Sequence, residues 1–198
     1  MNNTINTPKG KAVYPHVNEP NTRFNPMGEY SCSISVSEED GEAFNKQVTE
    51  IYEAAYQREC LLQNKKLKKA SSFPVGKDDE GEWIIKAKQP AKVETKAGKV
   101  FEFNIKLFDA QGSLCNAQVG SGSTVKCAVE PRTWFVGSLG FGITLSLKAV
   151  QIIDLIEQGG SSATSFGFAA EEGYVGEKLE EAFVSADDDS SAESAFDF

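Results

Sequence analysis

One seven-residue stretch constrains the fold of this chain more than any other. In residues 30–36, Tyr30, Cys32, Ile34 and Val36 alternate strictly with three serines. This period of two predicts a half-buried strand, because successive side chains of a strand point to opposite faces. At Ser37 the sequence Ser-x-x-acid resembles a capping box, and apolar residues then recur at helical spacing. We therefore predict a helix of about 25 residues that ends near Lys66 in a run of lysines, which suits its negative C-terminus.

Four later segments also have strand patterns, with glycine, proline and asparagine between them. They cover residues 82–88, 100–108, 124–130 and about 143–156. In the second of these, Phe101, Phe103, Ile105 and Leu107 are expected to face the core, and residues 131–135 are expected to form a loop. Five strands and one helix predict a mainly β protein, a five-stranded OB-fold barrel with one helix inserted after strand one. An ordinary α+β sheet is the alternative.

Charge divides the chain into unequal parts. Of the 198 residues, 169–198 hold ten acids and one lysine, whereas the other 168 residues hold 19 acids and 19 bases. We predict an extended N-terminal arm at 1–28, whose four prolines exclude a helix. An OB-fold domain at 29–160 and an acidic, flexible, disordered tail at 161–198 follow. The neutral body at 1–168 can bind an anion although the chain as a whole is acidic.

Few residues could support catalysis or metal binding. The chain has one histidine, His16, and four cysteines without a close pair, so neither a Ser-His-Asp site nor a zinc site is expected. The acidic run at 78–82 could bind Mg²⁺ in a nuclease, but carboxylates on one loop are more typical of a solvated turn. We expect no enzyme activity, cofactor or metal. No apolar run approaches a membrane span and no signal peptide begins the chain, which indicates a cytosolic protein.

A basic region instead suggests nucleic acid. Residues 65–106 hold eleven lysines and six acids, a net charge of +5. Several lysines are expected on outward strand faces, where they would attract phosphates, and Trp134, Phe108 and Trp83 could stack bases. Such a surface suits single strands and provides no recognition helix for a major groove. The alternative is that these lysines serve solubility and that Trp83 belongs to the core.

The acidic tail has two possible roles. A tethered polyanion would compete with DNA for a basic groove at high effective concentration, and DNA would release it for partners. Its end, Phe196, Asp197 and Phe198, could anchor in an apolar pocket of another protein. The alternative is a solubility tail.

Five short motifs occur in an order that resembles a known family. They are Asn25-Pro26-Met27-Gly28, Glu53-Ala54-Ala55-Tyr56, Gly120-Ser121-Gly122-Ser123, Pro131-Arg132-Thr133-Trp134 and Glu171-Glu172-Gly173-Tyr174-Val175. With the acidic tail and terminal Phe198, they make residues 14–198 similar to the single-stranded DNA-binding protein of short-tailed lytic phages. The chain departs from the family at Met27, where the family has arginine, and at Arg132, where it has tyrosine.

The resemblance implies an OB-fold with an inserted helix and a homodimer. It implies a protein that binds and anneals single-stranded DNA during phage replication, recombination and repair, in the cytoplasm of the infected bacterial host. Its tail would contact the phage DNA polymerase and the helicase-primase. The basic positions that match the family are Lys65, Lys66, Lys86, Lys88 and Lys126. Together with Lys106, Arg132 and Trp134, which the sequence pattern suggests, they are the predicted DNA-binding residues. The rival class is a non-DNA-binding interaction or virion-associated structural protein.

Overall fold

The structure is a computed structural model that describes residues 3–23, 25–95 and 98–157. The predicted tail at 161–198 lies outside these residues. The described residues form ten strands and one helix: β1 (Ile5–Asn6), β2 (Gly10–Asn21), β3 (Glu29–Val36), α1 (Glu38–Leu62), β4 (Val75–Lys77), β5 (Trp83–Pro90), β6 (Lys92–Glu94), β7 (Val100–Glu102), β8 (Lys106–Phe108), β9 (Thr124–Val136) and β10 (Gly140–Asp154).

Five strands close into a barrel in the order β2–β3–β5–β10–β9, and β9 pairs again with β2. β5 and β10 run parallel, and the other four pairings are antiparallel. This closed, five-stranded ring with one inserted helix confirms the predicted OB-fold. Because β2 is itself a barrel strand, the helix follows the second strand of the barrel rather than the first.

Alternating side chains fill the barrel. The alternation in residues 30–36 is confirmed, since Cys32 and Ile34 are buried while the serines between them are partly exposed. Val125, Cys127 and Val129 of β9 line the same core. α1 begins as the sequence predicts, because the Ser37 side chain accepts a hydrogen bond from the Asp40 amide at 3.3 Å.

The prediction for residues 100–108 is wrong in its core face. β7 pairs with β6 in a separate two-stranded sheet, whereas β8 pairs with β10 on the barrel. Phe101 and Phe103 are 43% and 37% exposed, and only Leu107 of the four predicted residues is buried. Alternation identifies a strand, but it cannot tell which sheet the strand joins. β2, which lies in the predicted N-terminal arm, supplies the fifth barrel strand that was predicted at residues 100–108.

Two element boundaries also differ from the sequence prediction, and one proline lies inside a strand. α1 ends at Leu62 without a basic residue in its last turn, so the following lysines lie beyond the helix. The predicted loop at 131–135 is part of β9, because Pro131 pairs with Leu145 and pairing continues to the hairpin end. Pro15 is tolerated in β2 because it lies at a register shift, where Tyr14 has a φ of 46°.

Candidate nucleic-acid interface

A groove opens on the barrel where β5 changes partners along one edge. β10 pairs with β5 at Ala87 and Lys88, whereas β4 pairs with it from Trp83 to Ile85. Between them the Lys86 amide donates to the Pro74 carbonyl at 2.7 Å. As β4 and β10 diverge, they leave a groove of about 510 Å³. Residues 72–74 form one wall and residues 143–145 the other, and the β9–β10 hairpin closes one end.

Two of the predicted lysines line this groove. Lys86 and Lys88 alternate with buried residues of β5, so both are exposed on the outer face of the barrel. Their cross-strand neighbours on β3 are Ser33 and Ser31, which are small and leave room above the sheet. Lys88 pairs with Glu29 at 3.4 Å, while Lys86 has no ion pair among the described residues. The groove therefore has an available positive charge at its rim.

Trp134 also contacts the groove, on the opposite side of β10. It lies directly across from Gly142 in the β9–β10 pairing and is partly exposed. Val136 and Leu139 of the same hairpin line the groove beside it. An indole beside two lysines provides one surface for a base and charges for the phosphates on either side of it.

Tyrosines of α1 hold the wall of the groove in place. The Tyr52 hydroxyl donates to the Phe141 carbonyl at 3.0 Å, and the Tyr56 hydroxyl donates to the Leu67 carbonyl at 2.6 Å. Phe73, in the wall itself, packs edge-on against Tyr52 with ring centroids 5.8 Å apart. Burial raises the pKa of Tyr52, so its hydroxyl stays protonated and keeps donating at neutral pH.

Lys65 and Lys66 lie in the segment that leads from α1 to this wall. Both are exposed. The segment is fixed to the hairpin by two backbone hydrogen bonds of 2.8 Å between Phe141 and residues 68 and 70. Neither Lys65 nor Lys66 is among the residues that line the groove. Lys69 is not available in the same way, because it pairs with Glu53 and lies 4.8 Å from the Tyr56 ring centroid.

Lys106 and Lys126 lie elsewhere, in what we call the distal patch. In the strand register, Lys106 of β8 is the partner of Ala149 of β10. Gln151 of β10 has Phe108 of β8 on one side and Lys126 of β9 on the other. Lys126 and Phe108 line a smaller pocket of about 240 Å³. Lys126 is eight residues from Trp134 along β9, which corresponds to roughly 26 Å of strand. The structure therefore does not place these two lysines in the groove.

Arg132 lies between the groove and the distal patch, and a carboxylate offsets its charge. Glu130 accepts hydrogen bonds from Lys148 at 2.9 Å and from Arg132 at 3.1 Å. These two cations hold the pKa of Glu130 below its usual value. Glu130 therefore remains ionised at neutral pH, and part of the positive charge predicted here is neutralised.

Other candidate residues have structural surroundings. Trp83 packs against Gly41 of α1 and lies outside the groove, which favours its core role. The Asp78 carboxylate accepts from the Glu80 and Glu82 amides within a turn. In the described part of the chain, no group of three or more acids, cysteines or histidines could hold a metal ion. Phe196, Asp197 and Phe198 lie outside the described residues.

Sequence reasoning missed the apolar part of the groove, Phe73, Val136 and Leu139. Their only sequence signal is the position of Phe73 before a proline and of the other two around Gly137 and Ser138, a turn. Nothing in this pattern indicates that the two segments meet, because their contact depends on the diverging strands.

No protein-family model and no curated protein matches this chain. Solved structures do match. The chain is similar to gp2.5, a single-stranded DNA-binding protein encoded by bacteriophage T7, with a TM-score of 0.67 and 20% identity over 87% of this chain and 98% of that one. It is also similar to the single-stranded DNA-binding protein of bacteriophage Enc34 in complex with single-stranded DNA, with a TM-score of 0.59 and 17% identity over 80% and 90% of the two chains.

These matches extend over nearly the whole length of the phage proteins. No helix among the described residues is long and apolar enough to cross a membrane. At such low identities the likeness establishes the fold, and the resemblance seen in the sequence is confirmed at that level. This chain has the barrel fold of phage single-stranded DNA-binding proteins.

Proposed function

We propose that this chain is a non-enzymatic phage protein that binds and protects single-stranded DNA in the groove. One observation carries the proposal: Lys86 and Lys88 of β5 and Trp134 of β9 line the same groove. The groove is lined by the outer face of β5, which is the third barrel strand, and by the last hairpin. Both belong to the surfaces through which OB-folds bind oligonucleotides, the face of strands two and three and the loop between strands four and five.

The chemistry of the groove favours unpaired nucleotides. A base can stack on Trp134 only when it is not covered by its neighbours in a duplex. α1 carries seven acids and two bases, so its exposed face does not suit the negatively charged major groove. The lysines bind phosphates of any sequence, and binding is therefore expected to weaken as salt increases.

The similar phage proteins support this function, and one of them is described in complex with single-stranded DNA. By analogy we propose that this chain acts in phage DNA replication, recombination and repair, in the cytoplasm of an infected bacterium. We propose a homodimer in which the acidic tail at 161–198 follows the OB-fold domain. That domain begins before the predicted residue 29, because β2 belongs to the barrel. These finer statements rest on the sequence resemblance described above.

For the tail we propose two functions. Its ten acids compete with DNA for the groove, and Phe196, Asp197 and Phe198 dock on the phage DNA polymerase and helicase-primase. Removal of residues 172–198 is expected to tighten DNA binding and to abolish polymerase capture. Phe198→Ala is expected to weaken capture and to leave DNA binding unchanged. Unchanged DNA affinity after truncation would exclude the competition.

A titration of the full-length protein tests the main proposal. Fluorescently labelled oligonucleotides of about 16 nucleotides, single-stranded and duplex, are compared at several salt concentrations. We expect tighter binding to the single strand at every salt concentration and no degradation with Mg²⁺. Equal or tighter binding to duplex would contradict the proposal. The rival class, a structural or interaction protein, requires no binding at any salt concentration.

A further inference from the structure

Trp134 lies against a strand position that has no room for a side chain. A Cβ built on Gly142 would be only 2.2 Å from Cζ2 of the indole. We propose that Gly142 is a positioning residue: it lets the Trp134 ring lie flat on β10, so that one ring face is covered and the other receives a single base. This inference rests on the proposed DNA binding and adds to it how the stacking surface is built.

The distances show which way the ring faces. The two atoms bonded to Cζ2, Cε2 and Cη2, are 2.6 and 2.7 Å from the same Cβ position. An approach in the plane of the ring would leave both atoms markedly farther away than Cζ2. The distances to Cε2 and Cη2 exceed the distance to Cζ2 by only 0.4 and 0.5 Å, which requires an approach from above the ring plane. The benzene half of the indole therefore covers Gly142 face-on.

This arrangement follows from the pairing of the two strands. Trp134 and Gly142 are directly opposite each other, and side chains of such pairs occupy the same face of a sheet. A glycine in a strand allows another group to approach the backbone closely, and an aromatic residue opposite it commonly covers it. The β10 backbone thus occupies one face of the indole.

Trp134 lines the groove together with Lys86 and Lys88. Since one ring face covers Gly142, we infer that the other ring face is the one directed into the groove. A ring held in place by the backbone does not need to be ordered when DNA binds, which favours affinity. A ring with one covered face also stacks with one base and does not insert between two. The nucleotide that stacks there is expected to be the one whose phosphates the lysines bind.

Gly142→Ala tests this arrangement, and the hairpin contains a matched control. The new methyl group would displace the ring from β10. Gly137→Ala makes the same change in the β9–β10 turn, where nothing lies within 4 Å of the added Cβ. Trp83 is the other tryptophan of the chain, so a Trp83→Phe background leaves Trp134 as the sole source of indole fluorescence.

In this background, each full-length variant is titrated with a single-stranded thymidine oligonucleotide. We expect DNA to quench Trp134 in the parent and in Gly137→Ala to the same extent. Gly142→Ala is expected to lose most of the quenching and to bind about fivefold or more weakly, the effect of losing one stacked base. A purely structural role would lower the melting temperature and leave both the quenching and the affinity unchanged, and that result would overturn the inference.

A second comparison removes the crowding itself. In a Trp134→Ala background Gly142→Ala has no ring to displace, so it is expected to leave affinity unchanged, as measured by the anisotropy of a labelled oligonucleotide. An equal loss with and without the ring would overturn the inference. If the Trp83→Phe parent fails to bind any oligonucleotide, the proposed function fails instead, and the two failures are distinguishable.

Discussion

The groove and the distal patch carry similar residues but differ in the space beside them. Each has exposed lysines and an aromatic ring on the outer surface of the barrel, Lys86 and Lys88 with Trp134, and Lys126 with Phe108. At the groove, β4 and β10 pair with different parts of β5 and diverge from each other, and about 510 Å³ opens between them. At the distal patch, β8 stays paired with β10, and the pocket measures about 240 Å³. Outward lysines are common, but space for a base depends on where strand pairing ends.

The largest difference between the two regions is expected from their aromatic rings. Trp134→Ala is expected to cost about 1–3 kcal/mol of binding free energy, or about 5- to 150-fold in affinity, because it removes the stacking surface of the groove. The measurement is the Kd for a labelled single strand at fixed salt. Trp83→Phe is the control and is expected to leave the Kd unchanged, because Trp83 packs against α1. Unchanged affinity in Trp134→Ala would show that the groove does not stack a base.

Charge removal from the groove should have the next largest effect. Lys86→Ala with Lys88→Ala removes two phosphate partners, so the slope of log K against log salt should fall by about 1.4. Relative to 1 M salt, this slope change corresponds to about 25-fold in affinity at 0.1 M. The measurement is a titration series over salt concentration. A lower affinity with an unchanged slope would mean that these lysines do not contact phosphates.

The equivalent change in the distal patch should have a smaller effect. Lys106→Ala with Lys126→Ala removes the same formal charge, but these lysines are expected to act only at long range, with about a threefold loss of affinity at low salt. The same salt series measures it and makes the two double variants matched controls for each other. A loss as large as that of the groove variant would place DNA on both regions.

The smallest effect on DNA affinity, and the only increase, is expected from Glu130, which lies between the groove and the distal patch. Glu130→Gln frees Arg132 and Lys148 and should raise affinity about twofold at low salt. Because these cations lower the pKa of Glu130, it stays ionised at neutral pH, and protonation should mimic the substitution only in acid. Affinity measured at neutral pH checks this. Reduced affinity in Glu130→Gln would mean that Glu130 orders Arg132 for binding.

The sequence predicted elements whose pattern is local and missed those that depend on chain topology. Alternation in residues 30–36 and the capping box at Ser37 identified β3 and the start of α1, because both patterns follow from backbone geometry. The sequence did not indicate that Gly10–Asn21 would join the barrel, because Pro15 and Pro20 argue against a strand and the strand is bulged. The same limit misplaced Phe101 and Phe103.

The candidate site shows the same division. Outward lysines on β5 follow from alternation, and the structure places Lys86 and Lys88 on one rim as a result. That Lys126 would lie far from Trp134 could not be predicted, because residues 131–135 have the pattern of a loop and continue β9 only through their pairing with β10. Neither could the neutralising effect of Glu130, whose partners come from two strands.

Photo-crosslinking tests most directly whether the groove holds unpaired nucleotides. Full-length protein is irradiated with a bromodeoxyuridine-containing single strand, and the crosslinked residues are identified by mass spectrometry. We expect crosslinks at Trp134 and at neighbouring groove residues such as Phe73, which an excess of unlabelled single strand removes and an excess of duplex does not. Crosslinks confined to Phe108 and the distal patch, or removed equally by duplex, would contradict the account.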